Sequence, residues 1–298
     1  MHPQALPTGA ERDADLDVPS RAPAHLLSAR TLFADAGWRF LARVGEGGSA
    51  EVWHARDPRG RDVALKLARA VPRPGALTPL AREHGLLAAL RHPHIVATLG
   101  LVERRGACAL ALEYLPGGDL VALAGAHPRH WLCAARELHA ALEHLHALGF
   151  AHRDVKARNV LFDARGRTRL IDFASALPIG AHAPSGGTTS AHRRAGQTAT
   201  VSAADDAYAF AVLLYELFAG RLPYGPAGRS AAGSNAPVER PRPVAGLAHL
   251  APAAAALAAR VVEVLEADAG AAPGLSQLAD VLECAVASYA PMRRVERA

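Results

Sequence analysis

The stretch His152-Arg153-Asp154-Val155-Lys156-Ala157-Arg158-Asn159 decides the reading of this chain, together with Asp172-Phe173 thirteen residues beyond Asn159. The second element closes the short apolar run Leu170-Ile171. Two carboxylates, an amide and a lysine therefore fall inside residues 154–172, on what reads as a hairpin-like segment. Phosphoryl transfer needs that inventory: a carboxylate to orient an attacking hydroxyl, oxygen ligands for hard magnesium, and a cation for the moving phosphate. Polar residues of these types at this spacing are a poor candidate for chance.

Working upstream, Phe40-Leu41-Ala42-Arg43-Val44 reads as a strand broken by Gly45-Glu46-Gly47-Gly48-Ser49. A second strand covers Ala50 to Ala55, a turn follows at Asp57-Pro58-Arg59-Gly60, and a third strand covers Asp62 to Leu67. Glycines let a backbone approach phosphates and donate bare amides to them. Taken alone, a Gly-rich hairpin and a lysine ending Val63-Ala64-Leu65-Lys66 are structurally ordinary. Thr78 followed by Pro79 predicts a helix start, with Leu86, Leu87 and Leu90 at helical spacing. Two more strands are expected near Ile95 to Leu101 and Ala107 to Glu113, then a hinge at Pro116-Gly117-Gly118. Downstream the periodicity predicts helices at 129–148, 204–219, 251–266 and 275–289. The fold class is therefore α+β: a small β-rich lobe with one main helix at about 37–115, a larger helical lobe at about 116–290, and a cleft at their joint. Residues 1–36 read as a disordered tail, 225–245 as a long surface loop, and 291–298 as a short basic tail.

Composition narrows the class. The 298 residues are 50% hydrophobic, enough for two lobes, but aromatics are 5%. The formal net charge of +5 is spread along the chain and suits anionic ligands without arguing for nucleic acid. Cys108, Cys133 and Cys284 are odd in number and far apart, which favours a reducing cytoplasm over a disulfide framework. No stretch reaches the roughly 18 apolar residues of a membrane span. A soluble, cytoplasmic protein of unspecified oligomeric state is expected.

With these residues in view, the chain resembles the eukaryotic-type Ser/Thr protein kinases from about Trp38 to about Ala287. Its alanine- and arginine-rich composition suggests a GC-rich, bacterial source. The resemblance implies a bilobal kinase fold, ATP and Mg2+ as cofactors, and protein substrates phosphorylated on serine or threonine. It implies that Val44, Gly45, Gly47 and Gly48 lie over the nucleotide, that Val52 and Ala64 cover the adenine, and that Leu161 lies below it. Lys66 would contact the phosphates and pair with Glu83. Glu113 and Leu115 would form the hinge contacts with Tyr114 between them, Leu112 would guard the back pocket, and Asp119 would stand near the ribose. Asp154 would be the catalytic base, Lys156 would steady the γ-phosphate, Asn159 and Asp172 would hold magnesium, and Asp206 would brace the catalytic loop. Lys156 and Thr188 match the Ser/Thr-directed members. A small-molecule phosphotransferase and a nucleotide-binding pseudokinase are the alternatives.

Four positions depart from the family pattern. Ala50 stands for the third loop glycine, and Ala174 for the glycine after Asp172-Phe173, where lost backbone freedom would bias switching. The Ala-Pro-Glu motif is missing near Arg193-Arg194-Ala195, and Ala272 stands where its arginine partner would be. Loss of both partners is the pattern of a repacked domain, since a lone buried charge would cost about 3–5 kcal/mol. Arg153 would await a phosphate on the following loop, with Ser185 and Thr189 the favoured sites; the competing expectation is that it binds neighbouring carbonyls. His139, His144 and His146 are expected to be ordinary imidazoles rather than metal ligands.

Overall fold

The computed structural model describes residues 24–46, 50–69, 78–183, 192, 199–224, 240–244, 246–267 and 274–289. The small lobe is an antiparallel sheet of β1 (Arg39–Glu46), β2 (Ala50–Arg56), β3 (Asp62–Ala68), β4 (Thr98–Arg104) and β5 (Ala107–Glu113), in the order β1-β2-β3-β5-β4. The central strand β3 is buried on both faces. Val63, Leu65 and Leu67 face a cluster with Trp38, Ala55, Ala109 and Ala111, while Ala64 and Lys66 alternate onto the cleft side. Helix α2 (Pro79–Ala89) begins as the sequence implies: the Thr78 hydroxyl accepts from the Ala81 amide at 3.0 Å, and Pro79 needs no donor at the first position.

The expectation of a disordered tail through residue 36 is corrected over residues 24–36. Helix α1 (Ala24–Ala34) packs against β4 and β5, on the sheet face away from the cleft. Its anchors are Ala29 and Phe33, one helical turn apart and both buried. Phe33 meets Trp38 edge-on at 6.2 Å, and the Arg30 guanidinium lies 4.1 Å from the centre of the Trp53 ring. Among the described side chains of this helix, two anchors are too few to register as a sustained period. The strand expected from Ile95 starts only at Thr98; Ile95 instead bridges to Leu170 and ties the two lobes together.

The large lobe is built on α3 (Leu132–Ala147), α4 (Ala203–Ala219), α5 (Pro252–Glu266) and α6 (Ser276–Ser288), close to the predicted ranges. Short pairs complete it: β6 (Phe150–Ala151) with β9 (Leu177–Pro178), and β7 (Val160–Phe162) with β8 (Thr168–Leu170). Beyond its first turn helix α4 is apolar apart from Glu216, and it sits in the core, as a helix with so little polar face must. Its start is fixed by a reciprocal cap between Ser202 and Asp205. Among the described residues no helix is long and apolar enough to cross a membrane. Most of the expected 225–245 loop lies outside the described residues.

Candidate active site

The cleft between the lobes takes its geometry from three short backbone arrangements. The first is the crossing from β5 into the large lobe. The Gly117 amide donates to the Phe162 carbonyl at 2.9 Å, and the Phe162 amide returns to the Gly118 carbonyl at 3.0 Å. A Cβ on Gly117 would stand 2.6 Å from the Phe162 Cβ, so only glycine permits this approach. The pairing brings Leu161, bridged to Asp119, to the floor of the cleft. Above it, the β2–β3 register aligns Val52 with Lys66 and His54 with Ala64 on one sheet face. Val44 at the end of the roof is half exposed, as a residue over an open cleft would be. Gly45 pairs with Val52. Gly47 and Gly48 lie outside the described residues.

The second arrangement is a charge triad in which Lys66 and Glu83 are buried and Asp172 opens onto the cleft. Lys66 Nζ donates to Glu83 Oε2 at 2.8 Å and Oε1 at 3.0 Å, and to Asp172 Oδ1 at 2.7 Å. Burial alone would push the Lys66 pKa down, but the charges of Glu83 and Asp172 outweigh it and hold the ammonium ion protonated. Burial also pushes the Glu83 carboxyl up, more than the Lys66 charge pulls it down. The Asp172 carboxyl moves the other way: burial would raise it, but Lys66 overrides that and lowers it. Lys66 is the secured charge of this group because two carboxylates face it. Glu83→Gln keeps the shape and relieves the desolvated carboxylate, so the melting temperature should change little. Activity should fall about tenfold or more, because Lys66 then leans only on Asp172. Steady-state turnover beside a melting curve checks this; unchanged turnover would mean α2 is placed by other contacts.

The third arrangement is the loop after β6. Asp206, at the start of α4 and fully buried, accepts from the amides of His152 and Arg153, both at 2.7 Å, and from His146 Nε2 at 2.8 Å. Arg153 takes a left-handed φ of 68°, which turns Asp154 toward the cleft floor. Lys156 Nζ lies 2.6 Å from Asp154 Oδ2. Asn159 Nδ2 donates to the Asp154 carbonyl at 2.8 Å and to Oδ2 at 3.0 Å. His152 Nε2 meets the Ile171 carbonyl at 3.0 Å and the ring packs edge-on against Phe173, joining this loop to Asp172. Asp172 also has a left-handed φ, 64°, which aspartate tolerates better than most residues.

Every predicted catalytic and metal-binding side chain thus converges on one cleft. Ala174 lies in a helical turn, Phe173–Ser175, without a positive φ, so its methyl group is accommodated in this conformation. Glu113 does more than the sequence implied: its carboxylate accepts from the Ala97 amide at 2.8 Å and from Arg169 at 3.1 Å, bracing both lobes. Arg153 donates to the Ser175 carbonyl at 3.3 Å, as the carbonyl-binding expectation had it. Ser185, Thr188, Thr189, Arg193, Arg194, Ala195 and Ala272 lie outside the described residues. Two of the three helical histidines have definite structural roles: His146 on Asp206, and His139 buried against the Leu275 carbonyl at 2.9 Å.

Sequence reasoning passed over His192, whose imidazole lies within reach of the charges of Asp154 and Lys156. Neither ring nitrogen has a hydrogen-bond partner among the described residues. Burial lowers its pKa to about 4. The unfolded chain, with an ordinary imidazole near 6.5, binds more protons between pH 6.5 and 4. Stability should therefore be lost as pH falls through that window. The fall in melting temperature from pH 7 to pH 5 should be shallower in His192→Gln than in the wild type; parallel curves would show that His192 is not the responsible group.

Against known proteins, residues 38–240 match the family model of the protein kinase domain. A serine/threonine-protein kinase of Myxococcus xanthus is 30% identical over 87% of this chain and 34% of its own length. A probable serine/threonine-protein kinase of Streptomyces coelicolor is 33% identical over 61% of this chain and 30% of its own length. The CBL-interacting protein kinase 4 of Oryza sativa subsp. japonica is 34% identical over 61% and 44%, respectively. The chain thus spans less than half the length of each of these relatives.

Proposed function

Because the chain belongs to the protein kinase family, we propose that it transfers the γ-phosphate of ATP, with magnesium, to serine or threonine hydroxyls of protein substrates. The observation that carries this reading is the convergence of Lys66, Glu83 and Asp172 with Asp154, Lys156 and Asn159 across one cleft. A pseudokinase has no need of that complete and mutually bonded set.

The residues fit the implied groups. Asn159 uses the nitrogen side of its amide on Asp154, leaving an oxygen donor for a hard cation. Asp172 adds a carboxylate, and its side chain is 41% exposed to the cleft. When bound there, magnesium would neutralise phosphate charge and fix its orientation. Lys66, immobilised between two carboxylates, presents a cation to the inner phosphates at little further entropic cost. Asp154 is held by Asn159 on its carboxylate and carbonyl and by His152 on its amide, so its carboxylate is placed to accept a hydrogen bond from the substrate hydroxyl. Lys156 beside it supplies positive charge where the transferred group passes.

Lys156 at this position, and the named serine/threonine kinases among the relatives, favour serine or threonine over tyrosine. A nucleotide donor is supplied in the cytoplasm, which is where this reading puts the domain. Incubation of the pure chain with γ-labelled ATP, magnesium and a generic basic protein tests it. Label should appear on serine or threonine and vanish with a chelator. Transfer to a small molecule instead, or ATP binding without transfer, would overturn the reading.

A further inference from the structure

Tyr114 lies in the crossing between the lobes, between two stretches of backbone pairing. The β3–β5 ladder ends at Val63–Glu113, and pairing resumes only at Gly117 with Phe162. Residues 114–116 fall between these two ladders. In that gap the Tyr114 ring is stacked on the His54 imidazole, with centroids 3.7 Å apart and planes 2° from parallel. Parallel overlap at this distance packs one face of each ring against the other. The imidazole is itself held: its Nε2 lies 2.8 Å from Asp62 Oδ1, and Arg56 Nε reaches the same oxygen at 3.3 Å.

The position of His54 gives the contact its meaning. His54 is the cross-strand partner of Ala64, two residues from Val52, and so belongs to the sheet face that roofs the cleft. Tyr114 belongs to the segment that forms the back of the cleft. The stack therefore joins roof to crossing directly, outside either ladder. We propose that His54 is a positioning residue for nucleotide binding: its clamped imidazole holds Tyr114, and through it the Glu113–Leu115 backbone, at the height below β2 and β3 that a flat purine requires. The inference rests on the reading of this cleft as an ATP site.

A stacked pair of this kind contributes about 0.5–1.5 kcal/mol, or roughly two- to twelvefold in an equilibrium constant. The test uses the full chain with MgATP as ligand and reads dissociation constant, turnover and melting temperature together. His54→Leu removes the flat ring but keeps bulk, and should weaken MgATP about three- to tenfold with turnover at saturation within about twofold. His54→Phe restores the stack without the Asp62 bond and should bind MgATP more tightly than His54→Leu but more weakly than the wild type, because the ring is back and its clamp is not. Tyr114→Leu should cost about as much as His54→Leu, and the double variant no more than either, because both remove one contact. Should His54→Leu fail to fold, Asp62→Asn loosens the imidazole from an exposed position and should weaken MgATP in the same direction. Equal affinities for the Leu and Phe variants, additive losses, or an unaffected Asp62→Asn would overturn the proposal while leaving the ATP site in place. A wild-type chain that binds no MgATP would remove the site and the proposal together.

Discussion

Asp172→Ala is expected to reduce phosphoryl transfer by at least about a thousandfold while the protein remains folded. The carboxylate lies in the cleft, partly exposed, and fills no core position. Its loss leaves Lys66 on Glu83, so no buried charge is orphaned. One structural cost must be separated from the catalytic one. Residue 172 has a left-handed backbone, where alanine costs roughly 1–2 kcal/mol and asparagine much less. In a chain of this size that amounts to a fall of a few degrees in melting temperature. Asp172→Asn is therefore the control: it should melt within about two degrees of the wild type and be nearly as inactive as the alanine variant, since a neutral amide cannot balance a divalent cation. Turnover above a few per cent in either folded variant would remove Asp172 from the metal site.

Much of this site was legible because its residues are close in sequence. Asp154, Lys156 and Asn159 sit on one loop, and Asp172 follows just past the end of β8, so spacing alone announced the group. Lys66 and Glu83 are 17 residues apart, yet each has a local signal: an apolar strand carrying the lysine, and Thr78-Pro79 opening α2. The contacts that sequence did not show are tertiary and made by residues with no rare chemistry. His146 is one histidine among three in α3, and only the packing of α3 against α4 aims it at Asp206. His54 and Tyr114 are 60 residues apart, and only sheet register brings their rings together. Helix α1 was missed because its stabilisation comes from Phe33 and Arg30 against the sheet rather than from its own periodicity.

Asp206→Ala should produce the largest loss of stability of any single change at this site. Asp206 is fully buried and joins α3, α4 and the catalytic loop through one carboxylate. Truncation leaves the His152 amide without its acceptor, and a buried donor in that state costs about 1–3 kcal/mol. The Arg153 amide loses its acceptor as well, and with it the bond that sustains a left-handed residue. The sum is about 3–5 kcal/mol, a fall of roughly 10 °C in melting temperature for a domain of this size. Turnover should fall further than stability does at a temperature where the variant is folded, because Asp154 follows Arg153 directly and its orientation is lost first. Asp206→Asn should be intermediate. Its oxygen can serve one backbone amide, but its nitrogen then faces a donor where the carboxylate offered an acceptor. The pair of variants, read by thermal melting and by turnover well below the transition, separates the two effects. An alanine variant that melts with the wild type and keeps its turnover would show that the loop is held by the His152–Ile171 bond and its packing on Phe173, and that Asp206 is dispensable.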